Sequence, residues 1–159
     1  MKHVISILVE NRFGVLSRIS GLFSGRGFNI DSLAVGETQD PCISRMTITV
    51  KGDDAILEQI KKQLNKLIDV IKVQDFNEKE YLERELLLVE ISVSPKTRPE
   101  LMNFADIFKA KIVNVTPNTV TIEIVGDNEK LTTFLDLVKP YGIKELVRTG
   151  KIAISRKEK

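Results

Sequence analysis

Few residues in this chain are equipped to make or break bonds. It holds one histidine, His3, and one cysteine, Cys42, and no nucleophile stands beside a plausible base. A single Cys and a single His exclude an internal disulfide and the usual zinc ligand sets, so no metal site is expected and Cys42 reads as inert. Gly25-Arg26-Gly27 lacks the third glycine of a dinucleotide fingerprint and the Lys-Ser/Thr pair of a phosphate loop, and it reads as a turn. What the chain does offer is a seat for an anion. A helix is expected to start at about Gly14, after Glu10-Asn11-Arg12 ends a strand. The leading amides of a helix have no internal partner and carry the positive end of its macrodipole. Gly14 puts no side chain in front of them, which leaves room for a small carboxylate. Gly14 serves equally well as a plain turn glycine with Asn11 as the helix cap, and the residues of this stretch leave both readings open.

The elements that must position this turn are legible from periodicity. Ile5, Ile7 and Val9 alternate with Val4, Ser6 and Leu8 as in a strand. Val15, Ile19 and Leu22, with Leu16 and Phe23 alongside, recur at helical spacing up to the Gly25-Arg26-Gly27 stop. A second strand runs from Phe28 to Val35, and Gly36 to Pro41 is a polar loop. From Ile43 to Lys51, Met46, Ile48 and Val50 alternate with Arg45, Thr47 and Thr49, the pattern of an antiparallel strand with one face in water. Asp53 or Asp54 then caps a helix with the stripe Ile56, Leu57, Ile60, Leu64 and Leu67. Asp69 to Phe76 closes the unit as a strand. The order βαββαβ predicts two helices on one face of a four-stranded antiparallel sheet, a ferredoxin-like α+β sandwich.

Residues 77–84 are charged and aperiodic and read as a linker, after which the order repeats over residues 85–159. Glu85 to Val93 is the first strand. Thr97 and Glu100 form a capping box for a helix carrying Leu101, Phe104, Ala105 and Phe108. Ile112–Val115 and Val120–Val125 make a hairpin, and Leu131, Phe134, Leu135 and Val138 face the fourth helix. Ile143–Arg148 and Lys151–Ser155 are expected to close the half as a hairpin at Thr149-Gly150. Each half is small, about 75 to 80 residues, a size that buries only about 60 % of the unfolded surface. Pairing between copies, most simply a homodimer, is therefore expected.

Hydrophobic residues make up 42 % and charged residues 29 % of the chain, with a formal net charge of +2, the composition of a soluble globular protein. No apolar run approaches the roughly 20 residues of a membrane span, and no secretory leader pattern opens the chain, so a cytoplasmic protein is expected. His3 reads as terminal and solvated. The basic residues Lys151, Arg156, Lys157 and Lys159 read as a solvated tail, not a nucleic-acid arm. The βαββαβ order also occurs in RNA-recognition modules, but those need aromatic platforms on the first and third strands. His3–Val9 and Ile43–Val50 contain no aromatic residue. Cluster ligation of the ferredoxin kind fails for want of cysteines. A module that senses small molecules remains.

The run VENRFGVLSRISGLFSGRGFNIDSLAVGETQDPCISRMTITVKGDD, followed by LEQIKKQLNKLIDVIKV, resembles the ACT domain of the small regulatory subunit of acetohydroxyacid synthase, also called acetolactate synthase. GLFSGRGFNIDSL and SRMT together are particular to that subunit. ERELLLVEI and IVNVTPNTVTIEIVG resemble its C-terminal domain, so the resemblance runs nearly the length of the chain. It implies a non-catalytic partner, itself without cofactor, of a large catalytic subunit that carries thiamine diphosphate, magnesium and FAD. That enzyme joins two pyruvates, or pyruvate and 2-oxobutyrate, in branched-chain amino-acid synthesis. The small subunit raises this activity and confers feedback inhibition, usually by valine. ACT domains of this kind pair side by side with the amino acid between them. Gly14 and Val15 would then offer amides to its carboxylate, Asn11 would bond its polar end, and Asn29 and Ile30 would come from the partner chain. The loop Thr38, Gln39, Asp40, Pro41, Cys42 would reach the large subunit; its other reading is an ordinary hairpin loop. An ACT-type sensor of a different enzyme or of a transcription response is the alternative function.

Overall fold

The computed structural model describes residues 1–76 and 81–156 and divides them into two compact units. The first contains β1 (Lys2–Glu10), α1 (Val15–Gly25), β2 (Ile30–Glu37), β3 (Ile43–Lys51), α2 (Asp54–Asn65) and β4 (Val70–Phe76). Its strands lie antiparallel in the order β2-β3-β1-β4, which makes β2 and β4 the edges. Ile5, Ile7 and Val9 of β1 and Met46, Ile48 and Val50 of β3 point to one face and meet Val15, Ile19 and Phe23 of α1 and Leu57, Ile60 and Leu64 of α2. Each fully buried side chain of this kind contributes about 1.5–3 kcal/mol by leaving water, and this layer is what holds α1 on the sheet.

Local chemistry sets the helix ends. The helix α1 stops in a Schellman arrangement: Gly27, at φ 74°, takes the left-handed conformation, its amide donates to Ser24 O and that of Phe28 to Phe23 O. The carboxylate of Asp53, and not Asp54, caps α2 by accepting from the Ile56 amide at 2.8 Å.

The second unit holds β5 (Tyr81–Ser92) from Glu83 onward, α3 (Arg98–Ile107), β6 (Lys111–Val115), β7 (Thr119–Gly126), α4 (Asn128–Val138), a 3₁₀ turn at Lys139–Tyr141 and β8 (Ile143–Arg148). The order β6-β7-β5-β8 repeats that of the first sheet, and Leu87, Val89, Ile91, Val120, Ile122 and Ile124 pack on Leu101, Ala105, Leu131 and Phe134. Asp127 caps α4 through the Lys130 amide, 2.9 Å away, and the buried Glu85 carboxylate is held by Nε and Nη2 of Arg148. Two tandem βαββαβ sandwiches are therefore present, as the element order predicts.

The structure corrects five details. Tyr81–Arg84 belong to β5 and are not linker; residues 77–80 lie outside the described region. The expected hairpin of the last two strands does not form. The strand β9 (Ile152–Ser155) pairs with β5, as β8 does, because the Thr149 amide bonds to Leu86 O and keeps the chain on that strand. Residues 151–156 group with the first unit, where Ala153 packs on Val4 and Phe76 beside Tyr81, and Gln74 Nε2 donates to Ser155 Oγ at 2.6 Å. Lys157 and Lys159 of the expected tail lie outside the described residues. Of the β3 residues expected in water only Arg45 is exposed: Thr47 and Thr49 are 3 % and 2 % exposed, and Ser6 of the neighbouring β1 is 1 % exposed. His3 is buried, with Nε2 3.1 Å from Gly52 O. Finally, Thr97 and Glu100 form no capping box. The Thr97 hydroxyl accepts from the Ser94 amide, while Glu100 accepts from the Tyr141 hydroxyl, which raises the Tyr141 pKa above the usual phenol value.

Candidate effector site

The turn between β1 and α1 is where the sequence leads one to expect an anion seat. Gly14 has φ 81° and ψ −4°, a left-handed conformation that disfavours any residue with a Cβ. It occupies the cap position of α1 without any side-chain cap, so the first turn of the helix opens outward. Asn11 is not the cap. Its Nδ2 turns the other way and donates to Pro41 O at 2.8 Å and to Glu37 Oε1 at 3.3 Å, while its amide donates to Cys42 O at 2.7 Å. The Val15 amide, expected to face a ligand, donates to Arg12 O at 3.4 Å, and the end of β2 with its following loop lies against Asn11.

Two charged residues border the turn that the sequence reading did not single out. Arg18, one helical turn beyond Gly14, lies over the glycine: a Cβ placed on Gly14 would come within 3.4 Å of its Nη1. Nη2 of the same guanidinium pairs with Asp69 Oδ2, and the Asp69 carbonyl accepts from the Glu10 amide. The position of Arg18 could have been found from its i+4 relation to Gly14. Glu37 could not, because only the sheet brings the end of β2 next to Asn11.

The loop Thr38–Cys42 is tied down from within. Thr38 Oγ1 lies 3.0 Å from the carbonyls of Asp40 and Ile43 and accepts from the Asp40 amide, and Asp40 Oδ1 accepts from the Cys42 amide. Gln39, Asp40, Pro41 and Cys42 are exposed. Phe13, in the turn between Asn11 and Gly14, stands wholly in solvent. Among the described residues no group of three or more His, Cys, Asp or Glu is placed to hold a metal, and no helix is long and apolar enough to cross a membrane.

Register separates the expected site residues within one chain. Glu10, next to Asn11, opposes Ile43 at one end of the sheet, whereas Ile30 opposes Val50 at the other. At about 3.3 Å per residue, the seven steps from Ile43 to Val50 put roughly 23 Å between the Asn11–Gly14–Val15 group and the Asn29–Ile30 group. One chain brings Asn11, Gly14, Val15 and the loop together, but not Asn29 and Ile30.

Comparison with known proteins identifies the family. Residues 5–72 match the profile of the AHAS small subunit-like ACT domain, and residues 84–157 that of the small subunit of acetolactate synthase. The probable acetolactate synthase small subunit of Archaeoglobus fulgidus is 52 % identical over 159 residues, covering 100 % of this chain and 99 % of the relative. The acetolactate synthase small subunit of Haemophilus influenzae is 48 % identical over 100 % of this chain and 98 % of its own. The crystal structure of the acetolactate synthase small subunit from Thermotoga maritima superposes with a TM-score of 0.90 at 38 % identity, over 99 % of both chains. With both halves matched, the fold shared and identity near one half over the full length, this chain belongs to the family of acetolactate synthase small subunits.

Proposed function

We propose that the chain is the regulatory subunit of an acetolactate synthase, without catalytic groups or cofactor of its own. It binds a large catalytic subunit that holds thiamine diphosphate, magnesium and FAD, raises that subunit's activity in the cytoplasm, and makes it subject to feedback inhibition by a branched-chain amino acid, valine foremost. In this reading the effector carboxylate takes the Gly14 and Val15 end of α1, Asn11 bonds its polar end, and Asn29 and Ile30 come from a second copy. The rigid, exposed loop Thr38–Cys42 reaches the catalytic subunit.

The observation that carries the shared site is the placement of its residues at opposite ends of one sheet whose edge strand is β2. An edge strand presents a row of unpaired amides and carbonyls to a further strand. Two β2 edges pairing antiparallel about a two-fold axis set the start of one beside the end of the other. Ile30 and Asn29 of one copy then meet Glu37, and with it Asn11 and Gly14, of the other. Two equivalent sites arise at the dimer interface, each assembled from two chains.

Acetolactate assays with the large subunit alone, this chain alone and the two mixed, each with and without valine, test the proposal. The expected outcome is no turnover by this chain, a higher rate in the mixture and loss of that rate on adding valine. Turnover by this chain alone, or a mixture no faster than the large subunit, would refute it.

A further inference from the structure

A seat made of helix amides with a guanidinium beside it attracts any small carboxylate. That is too permissive for a sensor of amino acids beside an enzyme that works on 2-oxo acids. Valine and its 2-oxo counterpart share the carboxylate and the isopropyl group; they differ at C2, which bears an ammonium in one and a carbonyl in the other. Discrimination therefore needs a group that reads C2. Resting on the effector site proposed above, we infer that Glu37 is this group, admitting amino acids and turning away 2-oxo acids.

Three observations support the assignment. The Glu37 side chain is exposed and, among the described residues, makes no ion pair. Its Oε1 and the Pro41 carbonyl oxygen both accept from Asn11 Nδ2, at 3.3 and 2.8 Å, which holds the carboxylate beside a residue of the proposed site. Of the other acids near the turn, Asp69 pairs with Arg18 and Asp40 accepts from the Cys42 amide, while Glu10 precedes Asn11 at the end of β1 and is not bonded to the Asn11 side chain as Glu37 is. Over Gly14 lies the Arg18 guanidinium, whose Nη2 pairs with Asp69 and whose Nη1 faces the glycine. Helix amides with the Nη1 edge of Arg18 suit a carboxylate, and the unpaired Glu37 carboxylate beside Asn11 suits an ammonium, the two ends of a zwitterion. An ammonium brings three donors to a pair of oxygen acceptors. A 2-oxo acid brings only another acceptor, held against a carboxylate, and so meets repulsion where the amino acid meets attraction.

Calorimetric titration of the full chain with L-valine and with 3-methyl-2-oxobutanoate tests this, using the wild type, Glu37→Gln and Glu37→Ala. The wild type should bind valine and reject the oxo acid. Both variants should bind valine about 10- to 100-fold more weakly, the range of one lost charge-assisted bond, with oxo-acid binding no weaker than in the wild type. Equal weakening of both ligands would reduce Glu37 to a support for the loop and overturn the inference, as would unchanged valine affinity or a wild type that binds both ligands alike. If the wild-type chain bound none of valine, leucine and isoleucine, the effector site itself would fall and this inference with it, before any variant is compared.

Discussion

Gly14 is the residue on which the seat depends most directly, because its backbone sits at φ 81° and Arg18 Nη1 fills the space just beyond it. Alanine there must either hold a left-handed conformation, at about 1–2 kcal/mol for an L-residue, or rotate the turn and tilt the first amides of α1. Gly14→Ala should therefore lose about that much stability in urea denaturation and bind valine more weakly as well. Wild-type stability together with wild-type affinity would show that the conformation of this residue is incidental. Asn11 works differently. Its three hydrogen bonds join the end of β1 to Glu37, Pro41 and Cys42, so it holds the end of β2 and its following loop against the turn.

Among the elements, β9 is the one whose role reverses the expectation from sequence. Alternation marks Val4, Ser6, Thr47 and Thr49 as pointing away from the helices, but it does not say what covers them. In the structure Ala153 of β9 packs on Val4 and Phe76 beside Tyr81, and Ser155 holds Gln74. Deleting residues 151–159 re-exposes Val4 and Phe76, a loss on the order of 3 kcal/mol. The damage should fall on the first unit, with amides of Ser6, Thr47 and Thr49 losing hydrogen-exchange protection while Val120, Ile122 and Ile124 of β7 keep theirs. Protection lost from β7 and retained in β1 and β3 would contradict the assignment of this strand to the first unit.

At the scale of the whole molecule, the proposal is that function requires two copies. Asn11→Leu and Asn29→Leu each remove one bond to a charged ligand, roughly 1.5–3 kcal/mol. A heterodimer of one Asn11→Leu chain with one Asn29→Leu chain separates the geometries. If each site draws on both chains, both defects fall into one pocket and the other is intact, so a purified, differently tagged heterodimer should bind valine at about half stoichiometry with wild-type affinity. If each pocket drew both asparagines from its own chain, every pocket would carry one defect, and titration would find only weak binding.

Much of this molecule follows from sequence alone, because the signals involved are local. The two- and 3.6-residue periods of Ile5–Val9 and Val15–Phe23, the stop at Gly25-Arg26-Gly27 and the repeated βαββαβ order need no knowledge of distant residues, and they carried the fold, the tandem units and the open start of α1. The helix α1 ends where those glycines allow it to. What depends on residues far apart in the chain was decided only by tertiary structure. Register alone puts Asn11 and Asn29 at opposite ends of a sheet and brings Glu37 to Asn11. The path of the chain after Thr149, held on β5 by a bond to Leu86, carries β9 onto the face that alternation had marked for water. Thr97 and Glu100 have the spacing of a capping box, yet the Ser94 amide and the Tyr141 hydroxyl take their side chains. Periodicity states which way a side chain points; only the folded chain supplies what it meets there.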